Sequence, residues 1–359
     1  MVAEASTISK DEAAVYDRQI RLWGIDAQNK LRNSSVLVVG ISQLGAEFAK
    51  NITLSGLNSL TLLDGHVITK DDVGHNFLLP LTPGEDLIGK NRAEAAYPRT
   101  YTLNPNVKLT AIPNDLETEL TKNGEDWLGR FSLVALIDQN YDLVVRVNAI
   151  CRRLGVRFIG ASVFGWVGYS FFDFNGHQFL TKVQNKDKEA SSTMDLENEQ
   201  GDENKKAMTM TIEEDQFEPK PYFYPAFEEA FNVDWSQKKL LRKCKRIIPS
   251  SYFLVKSILR AQKESRFTGN GEDADLRVLE EIWEEEVKNG NHLKEQQTVQ
   301  PEKFDHLFNP QLTPTCAVVG GLMGQEAIKA LSEGKNPLRN IFIYSALDTT
   351  GIMCDFPPQ

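Results

Sequence analysis

Hydrophobic residues in the first part of the chain form short runs that alternate with segments of helical periodicity. The run VLVVG (36–40) ends in glycine and the run LTLLD (60–64) ends in an acid. Continuous apolar runs of this length are typical of strands buried on both faces of a parallel sheet. Between them, Leu44, Phe48 and Ile52 recur every four residues, which predicts an amphipathic helix. The order of strand, glycine turn, helix and strand indicates a βαβ unit.

The same alternation continues to residue 174 and resumes near the carboxyl end of the chain. Residues 91–104 predict a helix that Pro98 should kink or split, because proline lacks the N–H group and clashes with the preceding turn. Gly155 is placed to cap the helix after the fourth strand. Further strands are predicted at 107–112, 132–137, 156–160, 168–174 and 341–346, the last as the closing strand, and a helix of small residues at 316–331. The pattern predicts an α/β fold with a doubly wound, Rossmann-like, mostly parallel sheet.

The pattern changes in the middle of the chain. Residues 185–215 hold ten acidic residues and four lysines but only two large aliphatic ones, so we expect a disordered acidic loop there. Residues 216–305 are strongly helical in period and composition, which predicts an inserted helical subdomain. The Rossmann-like domain then consists of an N-terminal part at 1–180 and a C-terminal part at 306–359.

Composition and charge exclude several classes of protein. The chain has 359 residues, of which 41% are hydrophobic and 25% charged, as in ordinary globular proteins. Its formal charge of −10 argues against a general nucleic-acid binder. The longest apolar run (316–324) is too short to span a membrane, and the N-terminus lacks the apolar region of a signal peptide. Four isolated cysteines without a CxxC pair exclude a disulfide scaffold and a zinc knuckle and favour the cytosol or nucleus.

The turn after the first strand is a partial nucleotide-binding motif. It reads Gly40-Ile41-Ser42-Gln43-Leu44-Gly45, whereas a dinucleotide-binding turn reads G-x-G-x-x-G. Ser42 replaces the glycine that lets the backbone approach a phosphate. Asp64 stands near the spacing of a ribose-binding acid, although a strand-end acid that caps the next turn fits equally. The turn therefore predicts either a nucleotide site or a Rossmann-shaped fold with a degraded pocket, and Ser42 favours the second.

Several motifs resemble those of a known family. The segments YDRQIRLWG (16–24), TLLD (61–64), GKNRAEA (89–95) and LNPNV (103–107) resemble the ubiquitin-like-protein activating enzymes and their bacterial relatives MoeB and ThiF.

Later segments narrow this resemblance to one branch of the family. ASVFGWVGYSF (161–171), NVDWS (232–236), SYFLVKSIL (251–259) and TCAVVGGLMGQEAIKALS (315–332) are similar to the smaller subunits of the SUMO-activating enzymes, which lack the thioester-cysteine domain. The corresponding subunits for NEDD8 share the N-terminal motifs but carry more inserted sequence, so they are the alternative. The resemblance covers nearly the whole chain and fails only in the acidic loop.

The resemblance implies that the adenylation pocket of this chain is degraded. In members that adenylate, the pocket uses a ribose-binding Asp, an Asn-x-x-Arg stretch, a Lys in the crossover helix and a magnesium-binding Asp after the fourth strand. Asp64 matches the first as a vestigial cofactor-binding residue. His75 stands closest to the Arg position, Arg92 falls at or near the Lys position, and Gln139 stands at the metal position with Asp138 beside it. A magnesium nucleotide needs anionic oxygen ligands and a cationic clamp. The resemblance thus implies a non-adenylating chain without a metal or cofactor of its own, with ATP and Mg²⁺ in the partner subunit.

The resemblance also implies one catalytic residue. Paired domains of the family place an N-terminal arginine from the Y-x-R-Q-I stretch in the partner's ATP site, and here that residue is Arg18. Without this role, Arg18 would form either a surface ion pair with a nearby acid such as Asp17 or a phosphate-free salt bridge at the interface. Arg21 lies three residues further on and is expected at the interface or as a backup.

The partners implied are the larger, cysteine-bearing subunit in a heterodimer, SUMO and, indirectly, the SUMO-conjugating enzyme. In the implied reaction the carboxylate of SUMO attacks the α-phosphate of ATP. This gives an acyl-adenylate and pyrophosphate, and the partner's cysteine then takes the acyl group as a thioester.

Two other functions stay open at this point. One is a self-sufficient nucleotide enzyme, either adenylating or NAD-dependent, and the other is a scaffold that contributes no chemical group. No cysteine has the adjacent base of a thiolate nucleophile. The basic stretch 238–246 is either a nuclear signal or a solvated helix face, and the expected location is the nucleus, with some protein in the cytoplasm. The small residues Ala317, Gly320, Gly321 and Gly324 predict helix packing rather than a ligand loop.

Overall fold

The computed structural model describes residues 10–79, 86–182, 217–233, 250–267, 273–289, 301–308, 310–333 and 336–357. The α-helices of these residues are α1 Lys10–Val15, α2 Asp17–Trp23, α3 Ile25–Arg32, α4 Gln43–Leu54, α5 Arg92–Leu103, α6 Leu116–Asn123, α7 Tyr141–Leu154, α8 Phe227–Phe231, α9 Ser250–Lys263, α10 Asp273–Asn289 and α11 Thr313–Ser332. The strands are β1 Ser35–Val39, β2 Ser59–Leu63, β3 Lys108–Ile112, β4 Leu133–Ile137, β5 Arg157–Phe164, β6 Val167–Asp173, β7 Gly176–Lys182, β8 Phe217–Phe223, β9 Ile341–Ser345 and β10 Thr350–Cys354. Two 3₁₀ helices span Glu125–Arg130 and Pro301–Leu307.

Eight strands form one sheet in the order β10-β9-β6-β5-β4-β1-β2-β3. The first five strands of the chain are parallel to one another, in the order β5-β4-β1-β2-β3. Strands β6, β9 and β10 extend the sheet beyond β5 and pair antiparallel. The chain winds outward in both directions from β1. This confirms the predicted doubly wound, mostly parallel sheet.

The sheet is covered on both faces because its central strands are apolar on both. In β1, Leu37 and Val39 belong to one hydrophobic cluster, whereas Val36 and Val38 belong to another, as the two-residue period of a strand requires. The first cluster includes residues of α6, α7, α9 and α10, and the second includes residues of α4, α5 and α11. The helices of the predicted insertion thus share a hydrophobic cluster with the sheet. The division into domains remains a prediction.

Most predicted elements are present, and three expectations need correction. Helix α5 runs unbroken through Pro98, because Asn91 caps it and Ala93, Ala96 and Thr100 bury its inner face. The strand at 341–346 does not close the sheet, since β10 pairs antiparallel beyond it. The hairpin of β7 and β8 has no counterpart in the predicted elements. Gly155 caps α7 in the left-handed conformation, as predicted.

Only half of the small-residue face of α11 packs against another helix. A Cβ atom on Gly320 would lie 2.7 Å from the Cβ of Glu47, and one on Gly324 would lie 2.6 Å from the Cβ of Asn51. Both neighbours belong to α4, which confirms helix packing at these two positions. Gly321 has open space around it and Ala317 is exposed, so the packing prediction is wrong for those two.

Two predicted segments lie outside the described residues. They are the acidic loop, 185–215, and the basic stretch, 238–246. None of the helices in the part of the chain that the structure describes has both the length and the hydrophobicity needed to cross a bilayer.

Candidate functional site

A cavity of about 500 Å³ lies at the carboxyl ends of the central parallel strands. It sits where the strand order reverses, since β1 lies between β2 and β4. Open α/β sheets bind their ligands at this position. We call it the switch-point cavity. Its lining residues are Gly40, Ser42, His66, Arg92, Ile137, Asp138, Gln139, Asn140, Ser162, Val163, Phe164, Gly165, Gln262, Phe267, Leu307, Phe308 and Gln311.

Two backbone N–H groups of the glycine turn after β1 donate hydrogen bonds to side chains of this chain. Ser42 caps α4 by accepting a hydrogen bond from the N–H of Gly45 at 3.3 Å. The Oε1 atom of Gln311 accepts from the N–H of Leu44 at 3.4 Å. In nucleotide-binding folds, N–H groups at the start of this helix hold phosphate oxygens. Two of them are therefore already engaged.

Asp64 is fully buried and ties three segments together. Its carboxylate accepts from the N–H of Ile41 at 2.7 Å, from the N–H of His66 at 2.8 Å, and lies 2.8 Å from Nδ1 of His66. Burial raises the pKa of Asp64, but the bonds to His66, the charge of Arg92 and the bond to Ile41 outweigh it, so the pKa is lowered overall. These contacts match the turn-capping alternative, and the carboxylate joins the turn to the end of β2.

Arg92 reaches the same cluster. Its guanidinium lies 3.3 Å from the carboxylate of Asp64 and 3.1 Å from that of Asp72. The Nε atom is buried without a hydrogen-bond partner among the described residues. The structure therefore brings the predicted ribose-binding acid and the predicted crossover cation together, and the cation is held by two carboxylates of its own chain.

Asp138 and Gln139 follow β4, at the predicted metal position. The Oδ2 atom of Asp138 accepts from Oγ of Ser42 at 2.5 Å and from Nε2 of Gln311 at 2.7 Å, and Oδ1 accepts from the N–H of Val163 at 3.1 Å. Gln139 turns its Nε2 back to the carbonyl of Ile137 at 2.9 Å. Burial raises the pKa of Asp138 against these hydrogen bonds. The residues here do not fit a magnesium ion, because three protein donors leave this carboxylate only one of its about four acceptor positions, and the described lining holds no second carboxylate beside it.

The stretch expected to carry the family's Arg contributes an amide instead. His75 is exposed, and its Nδ1 lies 3.0 Å from the carbonyl of Asp71, outside the lining of the cavity. Asn76 is buried and donates from Nδ2 to the carbonyl of Ile41 at 2.8 Å. Asn76 thus anchors this loop to the glycine turn.

The pair of His66 and Asp64 predicts a pH dependence of stability. The bond to Asp64 raises the pKa of His66 above 6.5 although burial lowers it, whereas the pKa of Asp64 is lowered below 3.8. The contribution of His66 is therefore complete below pH 6.5 and is lost as the pH rises through the raised value. The contribution of Asp64 is present above pH 3.8 and is lost in acid.

We expect the free energy of unfolding to fall between about pH 6 and 8, and to fall less in His66→Gln. The His66 side chain is 69% exposed, so the difference should stay below about 1 kcal/mol. Denaturant titrations at the two pH values measure it, with His75→Gln as the matched control. Equal slopes in the wild type and His66→Gln would contradict the assignment.

The described thiols and acids form no further reactive cluster. Cys151, Cys316 and Cys354 are buried, and burial raises the pKa of Cys151 to about 12 and that of Cys316 as well. Cys244 lies outside the described residues. Among the residues that the structure describes, no group of three or more His, Cys, Asp or Glu side chains is placed to hold a metal ion.

Helix α2 presents the predicted trans-acting arginine. Arg18 is exposed. No hydrogen bond or ion pair joins its side chain to another residue that the structure describes. Asp17, the acid expected to pair with Arg18, instead pairs with Arg21, at 3.1 and 3.0 Å. The sequence-based alternative of an Arg18–Asp17 pair is therefore wrong. Arg18 does not line the switch-point cavity.

An apolar groove of about 410 Å³ lies between α2, α4 and α11, and Leu22, four residues after Arg18 in α2, is part of its lining. We call it the α2–α11 groove. Leu22 is 68% exposed at its rim, and Val15, Ile25 and Val318 are further exposed apolar residues of the same helices and their neighbours. Its lining residues are Leu22, Trp23, Asn51, Gly321, Gly324, Gln325, Ile328, Lys329 and Ser332.

Sequence reasoning missed several residues of the cavity. Gln311 bonds to the glycine turn, to Asp138 and to the carbonyl of Val163, yet it belongs to no motif. Gln262, Phe267 and Phe308 line the cavity from the C-terminal half. All are brought in by long-range packing, and the sequence carries no local signal for them.

Comparisons with known proteins agree with this architecture. The model of the ThiF family matches residues 16–358. The chain is 46% identical over 351 residues to SUMO-activating enzyme subunit aos-1 of Caenorhabditis elegans, covering 98% of this chain and 99% of the relative. It is 36% identical over 350 residues to SUMO-activating enzyme subunit 1 of Homo sapiens, covering 96% and 95%.

Two crystal structures share the fold at low sequence identity. PaaA has a TM-score of 0.54 and 12% identity, covering 99% of this chain and 76% of its own. E. coli MccB with succinimide has a TM-score of 0.52 and 15% identity, covering 95% and 71%.

Proposed function

This chain belongs to the ThiF family, and on that premise we propose that it is the smaller subunit of a SUMO-activating enzyme. The observation that carries the proposal is the end-to-end similarity to SUMO-activating enzyme subunits, at 46% and 36% identity. The chain works as half of a heterodimer whose larger subunit carries the reactive cysteine. An equivalent subunit for NEDD8 remains the alternative.

The partner subunit binds ATP, magnesium and the C-terminal glycine of SUMO in this proposal. The SUMO carboxylate attacks the α-phosphate, the bond to the pyrophosphate breaks, and an acyl-adenylate forms. The partner's cysteine then displaces AMP and holds SUMO as a thioester for the SUMO-conjugating enzyme. The buried, high-pKa thiols of Cys151 and Cys316 support a partner cysteine rather than one of these.

The contacts in the switch-point cavity support a non-adenylating role. Two N–H groups at the start of α4 are taken by Ser42 and Gln311. Arg92 is held by Asp64 and Asp72, and the carboxylate of Asp138 stands where a phosphate would need positive charge. An anionic nucleotide would therefore have to break existing hydrogen bonds before it could bind.

Arg18 is the residue of this chain that we propose to act in the reaction. It is exposed and unpaired among the described residues, because Asp17 is engaged by Arg21. A guanidinium reaching the partner's nucleotide would stabilise the charge that develops on the phosphates during adenylyl transfer. Arg21, on the same helix, remains an interface residue in this proposal.

The experiment that tests the function is SUMO-dependent exchange of pyrophosphate into ATP. We expect no exchange with this chain alone, and exchange with the complex of this chain and the larger subunit. Exchange that depended on NEDD8 instead of SUMO would establish the alternative, and exchange by the chain alone would contradict the non-adenylating role.

The partner subunit covers the α2–α11 groove in this proposal. Leu22 lies one helical turn from Arg18, so a partner that receives Arg18 also meets Leu22. We expect an interface of the obligate size class, about 2,000 Å² or more. The exposed Leu22, Ile25 and Val15 supply apolar area for its centre.

Replacing Leu22 by aspartate should therefore abolish stable assembly. A desolvated carboxylate at an apolar contact costs several kcal/mol, enough to weaken association by about 100-fold or more. Co-purification and gel filtration of the two subunits measure it. The control is Ile88→Asp, which changes a residue of similar exposure, 48%, outside the groove. Assembly of both variants at wild-type strength would place the interface elsewhere.

We also propose a mainly nuclear location, with some protein in the cytoplasm. The basic stretch 238–246 is the candidate signal. Imaging a fluorescent fusion with and without Lys238→Ala and Lys239→Ala tests it, and an unchanged nuclear fraction would assign the stretch to a solvated helix.

A further inference from the structure

We propose that the switch-point cavity binds a small organic cation, a guanidinium or primary ammonium compound, against the carboxylate of Asp138. This inference concerns a site on this chain that the proposed function does not use. It does not depend on SUMO or on the partner subunit, so the two can fail separately.

Asp138 is a buried acid without a cationic partner. Its oxygens accept from Ser42, Gln311 and the backbone of Val163, and all three donors are uncharged. No ion pair links Asp138 to any cation in the part of the chain that the structure describes. A desolvated carboxylate usually has a paired charge. Burial raises the pKa of Asp138, although its three hydrogen bonds and the charge of Arg92 act to lower it.

The nearest cation of the lining is not free to supply that charge. Arg92 is held by Asp64 and Asp72, so its charge is already compensated. The lining also contains His66, which pairs with Asp64. Among the ionisable described residues of the lining, Arg92 and His66 are each paired with an acid, so Asp138 is the charged group of the lining that has no ion pair of its own. A cation is therefore the ligand whose charge the cavity favours.

Three further features of the lining suit an organic cation. Oε1 of Gln262 is buried and has no hydrogen-bond partner among the described residues, so it is an acceptor open to a ligand N–H group. The rings of Phe267 and Phe308 lie 5.7 Å apart in the same lining, and aromatic faces attract guanidinium and ammonium groups. The unpaired Nε–H of Arg92 offers a donor to an acceptor atom of the same ligand.

An inorganic divalent ion fits this lining less well. Magnesium and calcium require six or more oxygen ligands, whereas Asp138 is the one acid among the described residues that line the cavity, and three protein donors already use most of its acceptor positions. An organic cation instead uses directional N–H donors toward a few acceptors, which matches one carboxylate and one amide oxygen.

Calorimetric titration of the full-length chain, without a partner subunit, tests the proposal. The probe is methylguanidinium, and methylurea is the uncharged control of the same shape. We expect methylguanidinium to bind at least tenfold more tightly than methylurea, as a charge-assisted hydrogen bond predicts. Equal binding of the two would overturn the proposal, and so would stabilisation by inorganic phosphate or by magnesium alone.

Two substitutions locate the site. Asp138→Asn removes the charge, and Gln262→Leu removes an acceptor that makes no internal bond, so the second variant should fold even if the first does not. Each should weaken methylguanidinium binding by about tenfold. Asp126→Asn, at an exposed acid outside the cavity, is the matched charge control and should bind as the wild type does. Wild-type binding by Gln262→Leu would overturn the assignment.

Discussion

We expect the replacement of Arg18 by alanine in the heterodimer to lower SUMO-dependent ATP–pyrophosphate exchange by about 10- to 100-fold. Trans-acting arginines in GTPases contribute about 10³–10⁵ in rate, and single donors to a developing oxyanion contribute about 10²–10³. A smaller loss is expected here because other cations in the partner's pocket remain. The loss should fall mainly on the rate at saturating ATP, since the guanidinium acts on charge that develops in the transition state.

The same helix supplies a matched control for this experiment. Arg21 has the same side chain, three residues further on, but its guanidinium is engaged by Asp17 at 3.0 Å. Both groups of that pair are exposed, and exposed pairs contribute little to stability. Once assembled with the larger subunit, Arg21→Ala should exchange within about twofold of the wild type, because in this proposal Arg21 contacts the partner subunit and not the nucleotide. Arg18→Lys should recover part of the rate, because lysine keeps the charge but loses the planar fork of donors.

Gel filtration must show an intact heterodimer for each variant. Full exchange by an assembled Arg18→Ala heterodimer would reduce this chain to a scaffold. Loss of exchange in Arg21→Ala to the same degree would show that the helix acts through the interface rather than through Arg18.

The architecture followed from the sequence because buried strands leave a strong local signal. The runs at 36–40, 60–64 and 132–137 are mostly apolar, with Thr61, Asp64 and Ser132 as their polar residues, and each contains a strand of the parallel part of the sheet. The strands that the pattern does not predict, β7, β8 and β10, include polar or exposed positions, so their hydrophobic pattern is weak. Proline usually kinks or ends a helix, but α5 continues through Pro98. Tertiary packing explains this, because Ala93 and Ala96 on the buried face of α5 belong to a hydrophobic cluster that also contains residues of the sheet.

The site divides in the same way between local and long-range information. Asp64 and Arg92 were identified by motif, and the structure joins them. The partners of Asp138 were not, because Gln311 lies 173 residues away along the chain and glutamine in a loop has no distinguishing pattern. What a retained motif residue does was also not readable from sequence. Asp64 matches a ribose-binding position, yet its carboxylate accepts hydrogen bonds from the glycine turn, from His66 and from Arg92.

Gly40 and Gly45, the two glycines of the nucleotide-binding motif that this turn contains, have a structural role that does not involve a nucleotide. A Cβ atom on Gly40 would lie 2.2 Å from the carbonyl oxygen of Ile137, and one on Gly45 would lie 2.1 Å from the carbonyl oxygen of Gly40. Both contacts involve backbone atoms, which cannot rotate away as a side chain can. The close approach of β1, α4 and β4 therefore requires these glycines for folding, independently of any phosphate.

Gly45→Ala should consequently lower the free energy of unfolding by about 3 kcal/mol or more, at the upper end of overpacking costs, because the backbone of the turn must move. Alanine within a helix would by itself stabilise by about 1 kcal/mol relative to glycine, so the expected loss is net of that gain.

Gly321→Ala in α11 is the matched control. Gly321 is also a helical glycine, but nothing lies within 4 Å of the added carbon. We expect this substitution to be neutral or stabilising. Denaturant unfolding of both variants measures the difference. A Gly45→Ala variant as stable as Gly321→Ala would mean that the turn relaxes freely, and the persistence of the motif would then need a bound ligand to explain it.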